Sequence, residues 1–258
     1  MPACVHFAVG NKYTDNIRYK YDSCGNICEI TQNGHLVARY TYDTLNRLVR
    51  EDNKPLDKTV LFSYDRAGNI TERCKYAYTE YAVVPHAETS GDHYNYDYDG
   101  DKLVSYNGAV CEYNNLGNPT KYRNNVCEWQ YGKWLTKYGN TTFGYDTLGR
   151  RTKKGSITFT YDNDGRILKQ SNGLEFFYDN AGVVAVKFNN VMYFYRKDAQ
   201  GNIIALLYSN GNVAASYEYD AWGNHTVKLD TDNAVLQSFH IGNLNPFRYR
   251  GYIYDTET

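Results

Sequence analysis

The phrase Tyr-Asp-x-x-Gly constrains this chain more than any other feature. It occurs in YKYDSCGNI (residues 19–27), FSYDRAGNI (62–70), FTYDNDGRI (159–167) and YEYDAWGNH (217–225), and as YTYDTLNRL (40–48) with Asn in the Gly place. Before the Asp, apolar and polar residues alternate. In SITFTYD, Ile157, Phe159 and Tyr161 share one face while Ser156, Thr158 and Thr160 share the other, which predicts a strand with one buried face. The Asp then opens a tight turn, its carboxylate placed to accept hydrogen bonds from the amides two and three residues on. A residue without Cβ three positions later suits the left-handed site that closes a type I turn with a bulge, the common three-residue hairpin loop. Asn is the next best residue there. Each unit therefore predicts a β-hairpin, followed by an apolar return residue such as Ile27, Leu48, Ile70 or Ile167.

The residues that define these turns are Tyr21, Asp22 and Gly25; Tyr42, Asp43 and Asn46; Tyr64, Asp65 and Gly68; Tyr145, Asp146 and Gly149; Tyr161, Asp162 and Gly165; Tyr178, Asp179 and Gly182; and Tyr219, Asp220 and Gly223. Gly117 holds the same place after Tyr113, and Tyr98, Tyr131 and Tyr195 are the nearest stand-ins where the phrase is degenerate. The chain is thus an internal repeat with a variable insertion. One hairpin alone is marginal, but a stack of them buries a continuous face. No segment sustains an apolar period of 3.6, so the expected class is all-β with almost no helix, its hairpins stacked into a curved or spiral antiparallel sheet. The organisation expected is a lead-in over 1–12, repeats over 13–225 with a loop excursion near 79–93, and a separate terminal segment over 226–258. Residues 227–246 read as a longer hairpin.

Composition agrees with a folded chain only because of tyrosine. Leu, Ile, Val and Phe make up about a fifth of the residues, a level associated with disorder. The 28 tyrosines supply large rings with a polar tip, and a net charge of −1 removes self-repulsion. Basic and acidic side chains, 28 against 29, give no electrostatic footprint for nucleic acid or acidic lipid. The N-terminal MPACVHFAVGNKYTDN lacks the pattern of a signal peptide, and no run approaches the roughly 18 apolar residues of a membrane span.

The repeated Tyr-Asp-x-x-Gly-Asn/Arg-Ile/Leu unit resembles the YD repeat of the RHS family, which includes bacterial Rhs polymorphic toxins, the shell of Tc-toxin components and the shell of animal teneurins. The tail HIGNLNPFRYRGYIYDTET (240–258) looks like the start of the core-associated segment that precedes the variable toxin in bacterial members. The resemblance implies a sheet spiralling into a hollow shell that holds a C-terminal toxic domain until delivery. It also implies a longer secreted or surface polypeptide, with further repeats and the toxin beyond Thr258. Family members release the toxin through a self-cleaving segment past the core, and no position of this chain carries those residues. Roughly 24 strands at about 4.8 Å make only some 115 Å of sheet, about one turn of a spiral.

Other candidate sites carry blander readings. His86, Glu88, Ser90, Asp92 and His93 are dense in polar groups but match no metal or nucleophile spacing, as a solvated loop would. Asn95, Asp97, Asp99 and Asp101 with Gly100 echo a calcium loop, but Tyr106 stands where a bidentate Glu belongs. Cys4, Cys24, Cys28, Cys74, Cys111 and Cys127 form no zinc pattern. Cys111 and Cys127 occupy equivalent places in VCEY and VCEW, where either a disulfide or two free buried thiols fit. Asn69, Asn140 and Asn224 head glycosylation sequons. The turn aspartates repeat too often to form an active site, which needs unlike groups converging once. The expectation is a non-enzymatic structural shell segment without cofactor or metal. The alternative is a surface module that contacts carbohydrate or protein through exposed aromatics such as Trp129, Trp134 or Trp222.

Overall fold

The computed structural model describes residues 3–9, 13–81, 83–97, 99 and 102–256, and the side chains of residues 3–9, 13–15 and Val235 are outside the description. Tyr98, Gly100, Asp101 and the thiol of Cys4 thus lie outside the described residues. Within them are twenty-four strands in two antiparallel sheets, of ten and fourteen strands, and each strand's neighbours are those before and after it in the chain. The ladder does not run as one sheet. It breaks at Cys111, between the two-residue strands Ala109–Val110 and Glu112–Tyr113. By compactness the chain divides into two units, residues 1–103 with 217–226 and residues 104–216 with 227–258. The lead-in is itself a strand, Ala3–Val9, paired with Tyr13–Tyr21.

Seven of the Asp turns are built the same way. The amide of Asp22 donates to the Asn26 carbonyl at 2.9 Å and the amide of Gly25 to the Asp22 carbonyl at 3.3 Å, closing a three-residue loop with Gly25 at φ 86°. The turns at Asp43, Asp65, Asp146, Asp162, Asp198 and Asp220 repeat both bonds. The carboxylate accepts from amides two and four residues on, not two and three. Asp22 Oδ1 takes Cys24 N at 2.9 Å and Asn26 N at 2.8 Å, because the third amide is spent on the Asp main-chain carbonyl. Oδ2 takes the side chain four residues on, Asn26 at 3.0 Å in this turn and Arg47, Arg150 or Arg166 at 2.7 Å in others. That contact explains the Asn or Arg after the glycine. The carboxyls of Asp22 and Asp65 are held below their ordinary range chiefly by the Asn26 and Asn69 side chains, and that of Asp43 by the Arg47 amide.

Asp179 departs from this pattern. Gly182 is its ladder partner and already lies in the return strand Gly182–Phe188, so the loop is only Asn180 and Ala181. Val183 stands where Asn or Arg would engage the second carboxylate oxygen. The opposite ends of many hairpins close with two-residue loops. Asn33-Gly34, Asn107-Gly108, Arg123-Asn124 and Asn189-Asn190 have both residues at positive φ, as a type I′ turn requires.

Tyrosine joins successive hairpins. Tyr42 Oη donates to the Ile27 carbonyl at 3.0 Å, Tyr64 to Leu48 at 2.7 Å, Tyr96 to Ile70 at 3.2 Å, Tyr161 to Arg151 at 2.6 Å and Tyr178 to Ile167 at 2.8 Å. In each case the acceptor is the first residue of the previous return strand, opposite the previous repeat's aromatic. The arginine of one turn also lies over the next tyrosine ring: Arg47 is 4.7 Å from the Tyr64 centroid, and Arg150 and Arg166 are 5.2 Å from those of Tyr161 and Tyr178. The ladder and its contacts correct two repeat positions. Trp129 replaces Tyr131, since its indole N–H donates to Pro119 O at 2.7 Å whereas Tyr131 is a 73% exposed loop residue. Tyr96 makes the linking bond to Ile70 in its repeat, and Lys197, paired with Ile203 ahead of the Asp198 turn, replaces Tyr195.

Five of the Asp-turn hairpins also carry a bulge at the same place on the return strand. Lys20 faces Glu29 while Tyr21 faces Ile27, so Cys28 is unpaired; Val49, Thr71, Thr152 and Leu168 recur in the same place. The terminal segment is not a hairpin. After strand His225–Leu229 come two four-residue helices, Ala234–Gln237 and Ile241–Leu244, the second capped by His240 Nδ1, which accepts from Gly242 N at 3.0 Å. Phe247 then packs against Phe176, Tyr178 and Tyr195 with ring centroids 5.0, 6.5 and 6.2 Å away.

The loop geometry sets a test. Gly165 sits at φ 82° with only Arg150 Cδ near a Cβ placed there, so the cost of substitution is conformational rather than steric. Gly165→Val should cost about 1–2 kcal/mol. At about 2–4 °C per kcal/mol the melting temperature falls by several degrees, and an unchanged value would contradict the turn.

Candidate functional site

Several strands here bury rings, but Leu48–Asn53 buries charge. Glu51 and Asp52 are 0% and 1% exposed and Asn53 is 2% exposed, at the end of LVREDN. Strand Lys58–Tyr64 pairs with it, placing Thr59 opposite Asp52 and Lys58 opposite Asn53. Against this pair docks the distant turn of YEYDAWGNH, which belongs to the same compact unit.

The docking is almost wholly polar. Asn53 Nδ2 donates to Glu51 Oε1 and to the Tyr219 carbonyl, both at 2.9 Å. Glu51 accepts the Ala221 amide on both oxygens at 3.1 and 3.2 Å. Lys58 Nζ reaches Asp220 Oδ2 at 2.7 Å, and Asp220 also accepts the amides of Trp222 and Asn224 within its own turn. On the other flank Asp52 takes Arg50 Nε at 2.8 and 3.0 Å and Thr59 Oγ1 at 2.8 Å. Arg50 then donates to the carbonyls of Val83 and Glu80 at 2.8 and 3.3 Å, tying down the residues after strand Ile70–Ala77.

Burial pushes the Glu51 carboxyl up to about 7, and the neighbouring Asp220 adds to the rise against the hydrogen bonds of Asn53 and Ala221. A carboxyl raised in this way serves acid–base catalysis in other settings. Here both Glu51 oxygens already hold a main-chain amide and the side chain is closed to solvent, so the arrangement clamps a turn. Sequence reasoning passed over Arg50, Glu51, Asp52, Asn53 and Lys58. The available signal was REDN, charged and amide residues where the strand pattern calls for alternate apolar ones.

The other candidates do not converge. Ser90, Asp92 and His93 lie in strand Ser90–Tyr96, so the polar stretch is not one loop over 79–93. Asp92 pairs with Arg73 across the ladder and His93 approaches Glu72 at 3.6 Å, while His86 and Glu88 are exposed. Asp97 caps a turn by accepting Lys102 N at 3.2 Å. Among the described residues no three His, Cys, Asp or Glu side chains cluster as metal ligands. Cys111 and Cys127 are free and buried, and burial pushes both thiols up, away from reactivity. Cys24, Cys28 and Cys74 are free as well. The amides of Asn69 and Asn224 are engaged with Asp65 and Asp220, and Asn140 lies between the paired residues Tyr138 and Thr141. Trp129 belongs to the tyrosine series, Trp134 stacks on Tyr145 at 5.6 Å, and Trp222 is 51% exposed.

With this geometry in place, the likeness to known proteins falls on the fold. No family model matches the chain. The tRNA nuclease WapA of Bacillus subtilis (strain 168) is 44% identical over 61 residues, 24% of this chain and 2% of WapA. The tRNA3(Ser)-specific nuclease WapA of Bacillus spizizenii is 43% identical over 61 residues, again 24% of this chain and 2% of the relative. The crystal structure of TcdB2-TccC3 without its hypervariable C-terminal region matches 93% of this chain and 14% of that one, with a TM-score of 0.57 and 15% identity. The chain therefore spans a small part of each relative, and what it shares with TcdB2-TccC3 is an RHS-like all-β fold.

The clamp gives a pH test with a definite sign. Because the folded pKa of Glu51 lies above its ordinary 4.5, its contribution is full below pH 4.5 and is lost as pH rises towards about 7. Urea midpoints of the parent should fall between pH 5 and pH 8, by up to about 3 kcal/mol in stability. Glu51→Gln should flatten that fall and be the more stable protein at pH 8. The same slope in both proteins would contradict the assignment.

Proposed function

We propose that this chain is a non-enzymatic segment of an Rhs-type shell, one that encapsulates or presents a C-terminal toxin passenger carried by the same polypeptide. The observation that carries the reading is the likeness of fold over 93% of the chain to TcdB2-TccC3, a protein that has a hypervariable C-terminal region. The short stretch shared with WapA, a tRNA nuclease, supports a toxin context. The residue chemistry supports a scaffold, since the repeated polar groups are spent on turns, on ladders or on the Glu51 clamp. The working partners in this reading are further repeats, the passenger and, at a target cell, a carbohydrate or protein. The place of action is outside the cell or on its surface.

The test is recovery of the native protein from producing cells with an antibody to the repeats, followed by intact mass and limited proteolysis. The reading predicts a species well above 29.7 kDa whose added C-terminal polypeptide resists protease until the repeats are denatured. An added region cleaved at once under native conditions would remove encapsulation. A 29.7 kDa species would remove the passenger altogether.

A further inference from the structure

The clamp holds a reactive pair as well as a turn. Lys58 Nζ lies 2.7 Å from Asp220 Oδ2, and the two side chains are only 14% and 4% exposed. A buried ion pair of this kind gives up the hydration of both charges and recovers that cost only in part. The same contact sets an amine one bond away from a carboxyl carbon, where the two can condense. Holding reactants together in this way is worth effective molarities of about 10⁵–10⁸ M in well-oriented cases.

The Asp220 carboxyl is arranged for that attack. Oδ1 accepts the Trp222 amide at 3.0 Å and the Asn224 amide at 2.9 Å, two donors for the charge that gathers on this oxygen when Cγ becomes tetrahedral. Oδ2, beside Lys58, also accepts Asn224 Nδ2 at 2.9 Å and is the oxygen placed to leave. In the turns at Asp22, Asp43, Asp65, Asp146 and Asp162 the second oxygen meets an Asn amide or an Arg guanidinium, whose delocalised nitrogens are poor nucleophiles. Glu51 supplies the remaining part. It is 0% exposed and accepts the amide of Ala221, the residue after Asp220, while Asn53, which donates to it, is the ladder partner of Lys58. Burial and then the Asp220 charge raise its carboxyl to about 7, and Lys58 opposes the rise. A group near 7 both takes and gives a proton at neutral pH.

We infer that Lys58 and Asp220 join in an isopeptide bond, formed within the fold with Glu51 as proton carrier. Glu51 moves one proton from the Lys58 ammonium to Asp220 Oδ2, leaving a neutral amine and a neutral carboxyl. The amine lone pair forms the Nζ–Cγ bond, a second proton passes from Nζ to Oδ2, and the Cγ–Oδ2 bond breaks to release water. The amide keeps the third Nζ hydrogen, the two charges have cancelled, and Glu51 ends as it began. No cofactor or oxidant is consumed. The bond ties the late turn covalently to the early strand, and it stands whether or not a passenger exists. Lys154 and Asp255 serve as an internal control: they are 3.0 Å apart, but Arg151 holds both Asp255 oxygens at 2.8 and 2.6 Å, so this pair stays ionic and unlinked.

The test is the intact mass of the purified full polypeptide under denaturing conditions, followed by protease mapping. The parent should be lighter than its sequence by one water and should yield a branched peptide joining residues 58 and 220, a readout that needs no variant. Lys58→Arg keeps the ion pair but cannot condense, and should show the full sequence mass. Glu51→Gln keeps an acceptor for the Ala221 amide but carries no proton, and should accumulate unlinked chain. Circular dichroism shows that both variants fold. The urea comparison at Glu51 is then read in the Lys58→Arg background, where the ion pair persists without the link. The inference is overturned if the parent has its full sequence mass, if the missing water maps to Lys154 and Asp255 or to a cyclised turn aspartate, if Lys58→Arg is equally light, or if Glu51→Gln is linked as fully as the parent.

Discussion

A carboxylate with a separate task for each oxygen is the contact on which the rest of this structure depends. In the regular turns Oδ1 gathers amides two and four residues on, and Oδ2 fixes the Asn or Arg side chain four residues on. The first task forces the chain back on itself, so that a strand finds its partner at once. The second points an arginine outward over the next repeat's tyrosine. That tyrosine then donates to the carbonyl at the start of the preceding return strand. Local turn chemistry is thereby converted into a link between hairpins, which is what a stack of individually marginal units needs.

The same turn, used once more, becomes a docking element. At Asp220 the loop keeps its internal bonds while presenting the Ala221 amide to Glu51 and its own carboxylate to Lys58. The residues joined are separated by more than 160 positions in sequence, so the clamp brings a late repeat into the compact unit of the early ones. Burying two carboxylates side by side is costly, and the raised Glu51 carboxyl is the sign of that cost. The chain's likeness to a segment of TcdB2-TccC3 is a likeness of fold.

The turn and the class of fold were legible because they are local. Asp22 through Asn26 contains every atom needed to close its loop, and alternation in SITFTYD marks the buried face without reference to anything distant. The links between hairpins were less legible, since a tyrosine in the text does not say which carbonyl its hydroxyl will meet. Trp129 shows the difficulty: by letters Tyr131 looked like the repeat tyrosine, yet the indole N–H does the tyrosine's work. Gly182 misled for the opposite reason, because the right letter stood in the right place while Val183 withheld the side-chain contact. The Asn-Gly pairs at 33–34 and 107–108 were readable hairpin signals that the stronger Tyr-Asp phrase overshadowed. The Glu51 clamp was hidden because its partners are distant and its charges resemble a solvated strand edge.

The central claim is that the linking tyrosines are half-buried donors rather than surface rings, and ultraviolet titration of the phenols measures it directly. Desolvation pushes Tyr42 and Tyr178 up to about 12 and raises Tyr64, Tyr145 and Tyr161 as well. In the native protein the account predicts that, among the 28 tyrosines, the linking rings ionise only well above the ordinary value of about 10, as the strand signal in circular dichroism is lost. A single step near 10, with that signal intact, would contradict it.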